Sequence, residues 1–284
     1  MAKNGKKLAK KIIFAIVAAC IIGAILIVAL GLEIAFVISD KIECWRPDYE
    51  KEDLTEVLNK TALDDTDYEF LYAQTGLTKA GVDRALSRGA AGKARIKQIQ
   101  QDFFAEHTVT NAKFAPYVCT DYIEKNVANI YYEKGDILIS SSTHISGVRI
   151  GHAALVIDGT NVLQANAYGS VSRVSSAAEF TNRVNFMVFH VKDETADRKT
   201  LNEIVDYAEK NLQDIPYEGL AGLLSNKEEI SKTQCAHIVW YAFKQFGIDL
   251  DSNGGSMVTP YDMANSPHLE LVQVFGLDTQ KLWR

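Results

Sequence analysis

The sequence predicts an α+β domain that follows a membrane-spanning helix. Three observations support this: an uncharged run at residues 12–32, a change from helical to strand-like periodicity near residue 131, and an apolar helix that opens on Cys235. With 47% hydrophobic and 23% charged residues the composition is that of a globular chain, so global disorder is excluded.

The first residues have the pattern of a membrane anchor. Residues 1–11 hold five lysines and no acid, and the uncharged run 12–32 would form about 31 Å of helix, enough to cross a bilayer core. Because a cationic flank stays in the cytoplasm, we predict a cytoplasmic tail at 1–11, a single-pass transmembrane anchor at 12–38 and an extracytoplasmic remainder in a bacterial cell membrane.

An alternative for this segment is a lipoprotein signal, since residues 17–20, Val-Ala-Ala-Cys, resemble a lipobox ending at Cys20. Apolar residues continue well beyond Cys20, which favours an uncleaved anchor.

Charge and cysteine usage exclude other classes. Subtracting the five N-terminal lysines from a net charge of −6 leaves about −11 for the rest, which argues against a nucleic-acid partner. Four cysteines are too few for a disulfide scaffold, and whether Cys44 and Cys119 pair stays open.

Residues 39–130 are predicted to be a helical juxtamembrane region that serves as a spacer, or as a scaffold packed on the next domain. Thr66 and Glu69 have the spacing of a capping box, for a helix that Gly76 can close, and Thr78 can cap the next helix. A third helix is marked by apolar residues at helical spacing, Ile96, Ile99 and Phe103.

Residues 131–284 are predicted to form an antiparallel sheet packed on a buried helix. An amphipathic helix is expected over 201–212 and a buried one from Cys235 to Phe246, with Gly247 as its stop. Thr259 caps a short helix. Strand-like runs occur at 135–140, 151–157, 162–166, 185–191 and 270–276.

Cys235 is a candidate nucleophile because of its place at the start of the buried helix. Unpaired N–H groups in a first helical turn carry partial positive charge and favour a thiolate. Inert packing is the common alternative for a buried cysteine. His237 is two residues away on the helix and points to the opposite side, so a base must come from elsewhere.

Four motifs follow one another in residues 131–275: Gly135-Asp136-Ile137-Leu138, Gly151-His152-Ala153-Ala154-Leu155-Val156, Pro216-Tyr217 and Gln234-Cys235-Ala236-His237. In this order they resemble the permuted branch of the NlpC-type papain-like cysteine hydrolases, and within it the YiiX and YycO-like proteins. The parent family has the cysteine helix first, as a circular permutation of the order found here would give. The resemblance implies a permuted papain-like domain at 131–284, without metal or cofactor.

The resemblance assigns Cys235 as nucleophile, His152 as general base and Gln164 as the residue that orients the imidazole. It also implies that Tyr217 lies near the cleft, as a substrate contact. A neutral Gln164 stabilises an imidazolium less than a carboxylate does. Asn166 is an alternative orienting or substrate-binding residue.

Strand register gives a geometric condition on this assignment. A two-residue turn at 158–159 would send Gln164 to the face opposite His152. A three-residue loop places Asn166 across from His152 and Gln164 diagonal to it, on the same face. We therefore predict an odd-numbered loop or a bulge.

The remaining titratable residues are weaker candidates. His144, in a Ser/Thr-rich stretch, is expected to be a solvated loop residue. His190 is expected to be a satisfied core or edge residue and Asp136 a structural turn residue.

The function expected from these residues is acyl transfer to a thiol, by an amidase or peptidase that cleaves a cell-wall peptide amide through a thioester. One alternative is a lipid acyl hydrolase or acyltransferase, as in lecithin retinol acyltransferase-like relatives. Another is a non-catalytic module that binds a peptide or a lipid. The expected partners are that substrate and, through the N-terminal helix, the membrane, while the oligomeric state stays open.

Overall fold

The computed structural model describes residues 2–39, 42–110, 118–124, 130–145 and 148–283. Its helices are α1 (Ala2–Ser39), α2 (Thr55–Leu58), α3 (Asp65–Thr75), α4 (Lys79–Leu86), α5 (Ala90–Phe104), α6 (Ala178–Thr181), α7 (Arg198–Asn211), α8 (Cys235–Lys244) and α9 (Pro260–Ala264). Its strands are β1 (Val109–Thr110), β2 (Cys119–Thr120), β3 (Tyr122–Ile123), β4 (Ile137–Ser140), β5 (Thr143–Ile145), β6 (Val148–Arg149), β7 (His152–Val156), β8 (Asn161–Gln164), β9 (Arg173–Ser176), β10 (Phe186–Val191) and β11 (Leu269–Phe275).

Helix α1 includes a stretch, Lys10–Ala35, that is long and apolar enough to cross a membrane. Its large apolar side chains are exposed along most of the run, unlike those of a core helix. The predicted N-terminal apolar helix is therefore present.

A six-stranded antiparallel sheet in the order β11-β10-β4-β7-β8-β9 forms the middle of the α+β fold. Side chains alternate between its faces, as the strand period requires. Ile139 and Ala153 contribute to the core with α7 and α8, whereas Leu138 and Ala154 contribute to the core with α3, α4 and α5. The sheet is thus covered by helices on both faces, and the class predicted from sequence is confirmed.

The helices that precede the sheet form one of these layers. Leu71, Leu77 and Ile96 belong to the same buried cluster as Leu138. The chain after α3 also joins the sheet edge, because the N–H of Thr78 donates to Val272 O at 3.0 Å.

Most of the residues predicted to cap or close a helix do so in the structure. Gly76 closes α3 with a φ of 70°, and Thr78 and Thr259 cap α4 and α9. The capping box at Thr66 was wrong: α3 is capped by Asp64, whose carboxylate accepts from the N–H of Asp67 while the Asp67 side chain accepts from the N–H of Asp64. A carboxylate accepts such bonds strongly, so the box forms two residues earlier.

A small sheet in the order β2-β5-β6 was not predicted, and it corrects the placement of His144. His144 pairs with Cys119 in this sheet and is fully buried, with Nε2 4.0 Å from Asp121 Oδ1. The solvated loop predicted there was wrong because the Ser/Thr-rich composition concealed a short strand whose side chains point inward.

Candidate active site

The β7–β8 hairpin satisfies the register condition set by the sequence. The N–H of Ile157 donates to Asn161 O at 2.9 Å, which leaves the three residues 158–160 as the loop. Val156 then faces Val162, and the same register continued would place Asn166 across from His152. The predicted odd-numbered loop is confirmed.

The imidazole of His152 is hydrogen-bonded to Gln164, with Nε2 2.9 Å from Oε1. The amide nitrogen of Gln164 donates to Ser175 Oγ at 2.7 Å and to Glu179 Oε2 at 3.3 Å. Because an ionised carboxylate only accepts, Glu179 fixes the amide with its oxygen towards the ring. Nε2 of His152 therefore carries the proton, and Nδ1 is the basic nitrogen.

Cys235 is the first residue of α8. The N-cap residue Gln234 accepts from the N–H of Ala236 at 2.7 Å, which fixes the first turn. The backbone N–H groups of Ala153, Ala236 and Cys235 itself favour the ionised form of the thiol and so oppose the rise of its pKa. Ala153 directly follows His152 and belongs to the same buried cluster as residues of α8.

Strand β8 ends before it can pair with Ala153. Backbone N–H groups alternate along a strand, so the N–H of Ala153 points to the same side as that of Ile157, towards β8. Pairing with β8 stops before that position, because the strand ends at Gln164 and not at residue 166 as predicted. The N–H of Ala153 is one of the groups that favour the ionised form of the Cys235 thiol. Among the described residues, no hydrogen bond joins the thiol to the His152 ring or engages Nδ1.

Burial keeps both groups neutral. It raises the pKa of the Cys235 thiol, against the opposing effect of the N–H groups of Ala153 and Ala236 and the charge of Arg183. It lowers the pKa of His152 well below the usual value, and Arg183 adds to this while the hydrogen bond to Gln164 opposes it. The helix start favours a thiolate, but desolvation outweighs it here.

Arg183 is a neighbour of this pair that the sequence did not reveal. Its side chain is 3% exposed, and Nη1 donates to Thr143 Oγ1 at 2.7 Å and to Thr120 Oγ1 at 3.2 Å. The guanidinium lies 5.0 Å from the centre of the Phe180 ring, which in turn lies 5.6 Å from the His152 ring. In the described part of the chain, no carboxylate forms an ion pair with it. Arg183 and Glu179 are brought here by α6 and the turn after it, and no local sequence pattern marks them.

A cleft of about 420 Å³ opens over Cys235. Among its described lining residues, Arg149 is the one charged side chain, and it is paired with buried Asp121 at 3.2 Å. Most of the other lining residues are apolar or aromatic, among them Ile145, Ile150, Tyr168, Leu220, Tyr261 and Trp283.

Of the other residues considered from the sequence, Tyr217 lies at the cleft, whereas Asn166 and His237 do not take part in the contacts of the pair. Tyr217 lines the cleft, edge to face with Tyr168 at 5.2 Å, and burial raises its pKa. Asn166 is not bonded to His152, and its buried Oδ1 makes no hydrogen bond to any described residue. His237 bonds with Thr233 Oγ1 at 3.1 Å and Lys227 O at 2.8 Å, so it points away from the thiol as predicted.

Within the described residues, no group of three or more His, Cys, Asp or Glu side chains is arranged to hold a metal ion. No protein-family model matches the chain, and no curated protein matches it either. Among solved structures, the chain has a likeness to one described as the metalloprotein YiiX from Escherichia coli O157:H7. The likeness is distant, with 13% identity and a TM-score of 0.37, and covers 54% of this chain and 98% of that one.

Proposed function

We propose that this protein is a membrane-anchored thiol hydrolase that cleaves an amide or ester through a Cys235–His152–Gln164 triad. The observation that carries the proposal is that one strand, β7, bears both His152, whose Nε2 is held by Gln164, and Ala153, whose N–H favours the ionised form of the Cys235 thiol. With Nε2 protonated, the free lone pair of His152 is on Nδ1, the nitrogen available to a substrate or thiol.

The reaction follows the chemistry of a thiol nucleophile. Nδ1 of His152 takes the proton of Cys235 as the sulfur attacks the carbonyl carbon, and Gln164 Oε1 stabilises the imidazolium that forms. Backbone N–H groups around the sulfur, those of Cys235 and Ala153, stabilise the tetrahedral oxyanion. The imidazolium then protonates the leaving amine or alcohol, and water activated by His152 hydrolyses the thioester.

Two acyl donors fit this chemistry. A cell-wall peptide amide follows from the proposed extracytoplasmic location, with the N-terminal tail in the cytoplasm. A lipid acyl group is the second candidate, favoured by the apolar lining of the cleft and by a single charged residue, Arg149, that is already paired.

The catalytic part is tested by labelling with an acyl vinyl sulfone at neutral pH, mapped by mass spectrometry. We expect Cys235 to be labelled in the wild type and in a His268→Ala control, because His268 precedes the edge strand β11 and contacts Thr195. Labelling should be lost in His152→Ala. Labelling that persists at the wild-type rate in His152→Ala would exclude His152 as the base.

The two donors are separated by incubating the full-length protein with purified cell wall or with phospholipid vesicles. Cys235→Ala is the control in both arms. Release of peptide fragments supports the amidase, and release of fatty acid or transfer of an acyl group supports the lipid enzyme.

A further inference from the structure

An apolar groove of about 650 Å³ lies between α1 and the small sheet. Neither side contributes a charge among the described lining residues. The α1 side is formed by Ala24, Ile25, Val28, Ala29 and Leu32, and the side of the small sheet by Ile145, Val148 and Ile150.

The position of this groove along α1 sets its depth. Ala24 lies eight residues, or about 12 Å, inside the end of the apolar run at Leu32. Half of a bilayer core is about 15 Å. If residues 12–32 cross the membrane, side chains that share a groove with Ala24 and Ile25 lie below the surface of the leaflet, among acyl chains.

The groove continues into the Cys235 cleft. Ile145 and Ile150 line both cavities. Leu220 and Tyr261, at the cleft, are exposed, and Leu223 and Leu224 just beyond are 58% and 71% exposed. An exposed apolar surface of this kind marks an interaction site and not an ordinary soluble face.

We propose that this face, formed by Ile145, Val148, Ile150 and the 220–224 loop, is inserted into the membrane leaflet on the side of the globular domain. The Cys235 cleft then opens at the level of the acyl chains and not into water. The proposal rests on the membrane anchor of the proposed function. Insertion of β6 does not bring an unpaired cation into the leaflet, because Arg149 is paired with buried Asp121.

The test uses the full-length protein in phospholipid nanodiscs and a charged, membrane-impermeant maleimide, with labelling sites mapped by mass spectrometry. Val148→Cys and Leu224→Cys report on the proposed face, since both positions are exposed in the protein alone. Leu224 does not line the α1 groove, so slow labelling there cannot come from cover by α1. Thr160→Cys is the control, in the exposed loop at the end of β7 away from His152.

We expect Val148→Cys and Leu224→Cys to be labelled at least about tenfold more slowly than Thr160→Cys, because a charged reagent is excluded from hydrocarbon. Labelling of either position at the Thr160→Cys rate overturns the proposal. The maleimide readout does not depend on catalysis. Fast maleimide labelling of the face with normal vinyl sulfone labelling of Cys235 contradicts only the insertion. Slow maleimide labelling of the face without vinyl sulfone labelling of Cys235 contradicts only the catalytic proposal.

Discussion

At the residue scale, the hydrogen bond from His152 to Gln164 determines which ring nitrogen is basic. Gln164→Leu removes the acceptor, so the ring can take the other tautomer and loses its fixed orientation. We expect addition of Cys235 to the vinyl sulfone to slow at least tenfold, the equivalent of about 1.4 kcal/mol. The measurement is the rate of vinyl sulfone labelling at neutral pH.

Asn166→Ala is the matched control, because Asn166 is the alternative orienting residue and is not bonded to the ring. Its labelling rate should equal that of the wild type. Slower labelling in Asn166→Ala with a normal rate in Gln164→Leu would reverse the assignment.

The protonation state of Cys235 is a second residue-scale consequence. Burial raises the pKa of the thiol, so thiolate accumulates only above the range of an ordinary cysteine. Alkylation of Cys235 by iodoacetamide, which does not need His152, should therefore keep rising as the pH passes 9. The same cysteine in the chain unfolded in guanidinium should level off near its ordinary pKa of about 8.5. A plateau below pH 7 in the folded protein would instead reveal a standing thiolate–imidazolium pair.

The residues that meet at the site differ in how visible they are in a sequence. His152 and Gln164 are twelve positions apart on two strands of one hairpin, so register alone could place them on one face. Arg183 and Glu179 come from a four-residue helix and the turn after it, where no periodicity exists. Their approach to His152 depends on how α6 packs against β9, which only the tertiary structure shows.

At the element scale, the start of α8 fixes the thiol. Gln234→Ala removes the acceptor for the N–H of Ala236 and the bond from its amide nitrogen to Val258 O. We expect a loss of about 1–2 kcal/mol in the free energy of unfolding, measured by urea denaturation, and slower labelling of Cys235. Gln245→Ala, exposed at the other end of α8, should change that free energy by less than about 0.5 kcal/mol. Equal effects of the two substitutions would contradict the role of Gln234 as a cap.

Elements with strong local signals were predictable, and the others were not. Gly76, Thr78 and Thr259 mark helix ends because caps depend on residues three or four positions apart. Strand β9 and the small sheet of β2, β5 and β6 are two to four residues long, too short for a period of two to be recognised. They exist because neighbouring chain segments supply their hydrogen bonds.

At the scale of the whole molecule, the sheet needs the helices on both of its faces. Leu138 and Ala154 alternate with Ile139 and Ala153, so removal of either helical layer would expose half of the buried sheet side chains. The helices of region 39–130 were predictable, but the face of the sheet that they cover was not, since apolar periodicity does not say which surface a helix covers.

Leu77 tests the contribution of the helical layer to the stability of the whole domain. It is fully buried between the helical layer and the sheet, and Leu77→Ala should lower the free energy of unfolding by about 2–5 kcal/mol. Because the helical layer that contains Leu77 and the helix α8 that bears Cys235 cover opposite faces of one sheet, we expect them to unfold together. The slow reaction of Cys235 with iodoacetamide at neutral pH, which follows from its raised thiol pKa, should then be lost at the same, lower temperature as the helical signal. Leu223→Ala, at an exposed leucine, should change the free energy of unfolding by less than about 0.5 kcal/mol. If Cys235 in Leu77→Ala stayed protected after the helices had melted, the helical layer would be a separate unit and not part of the structure that holds the thiol.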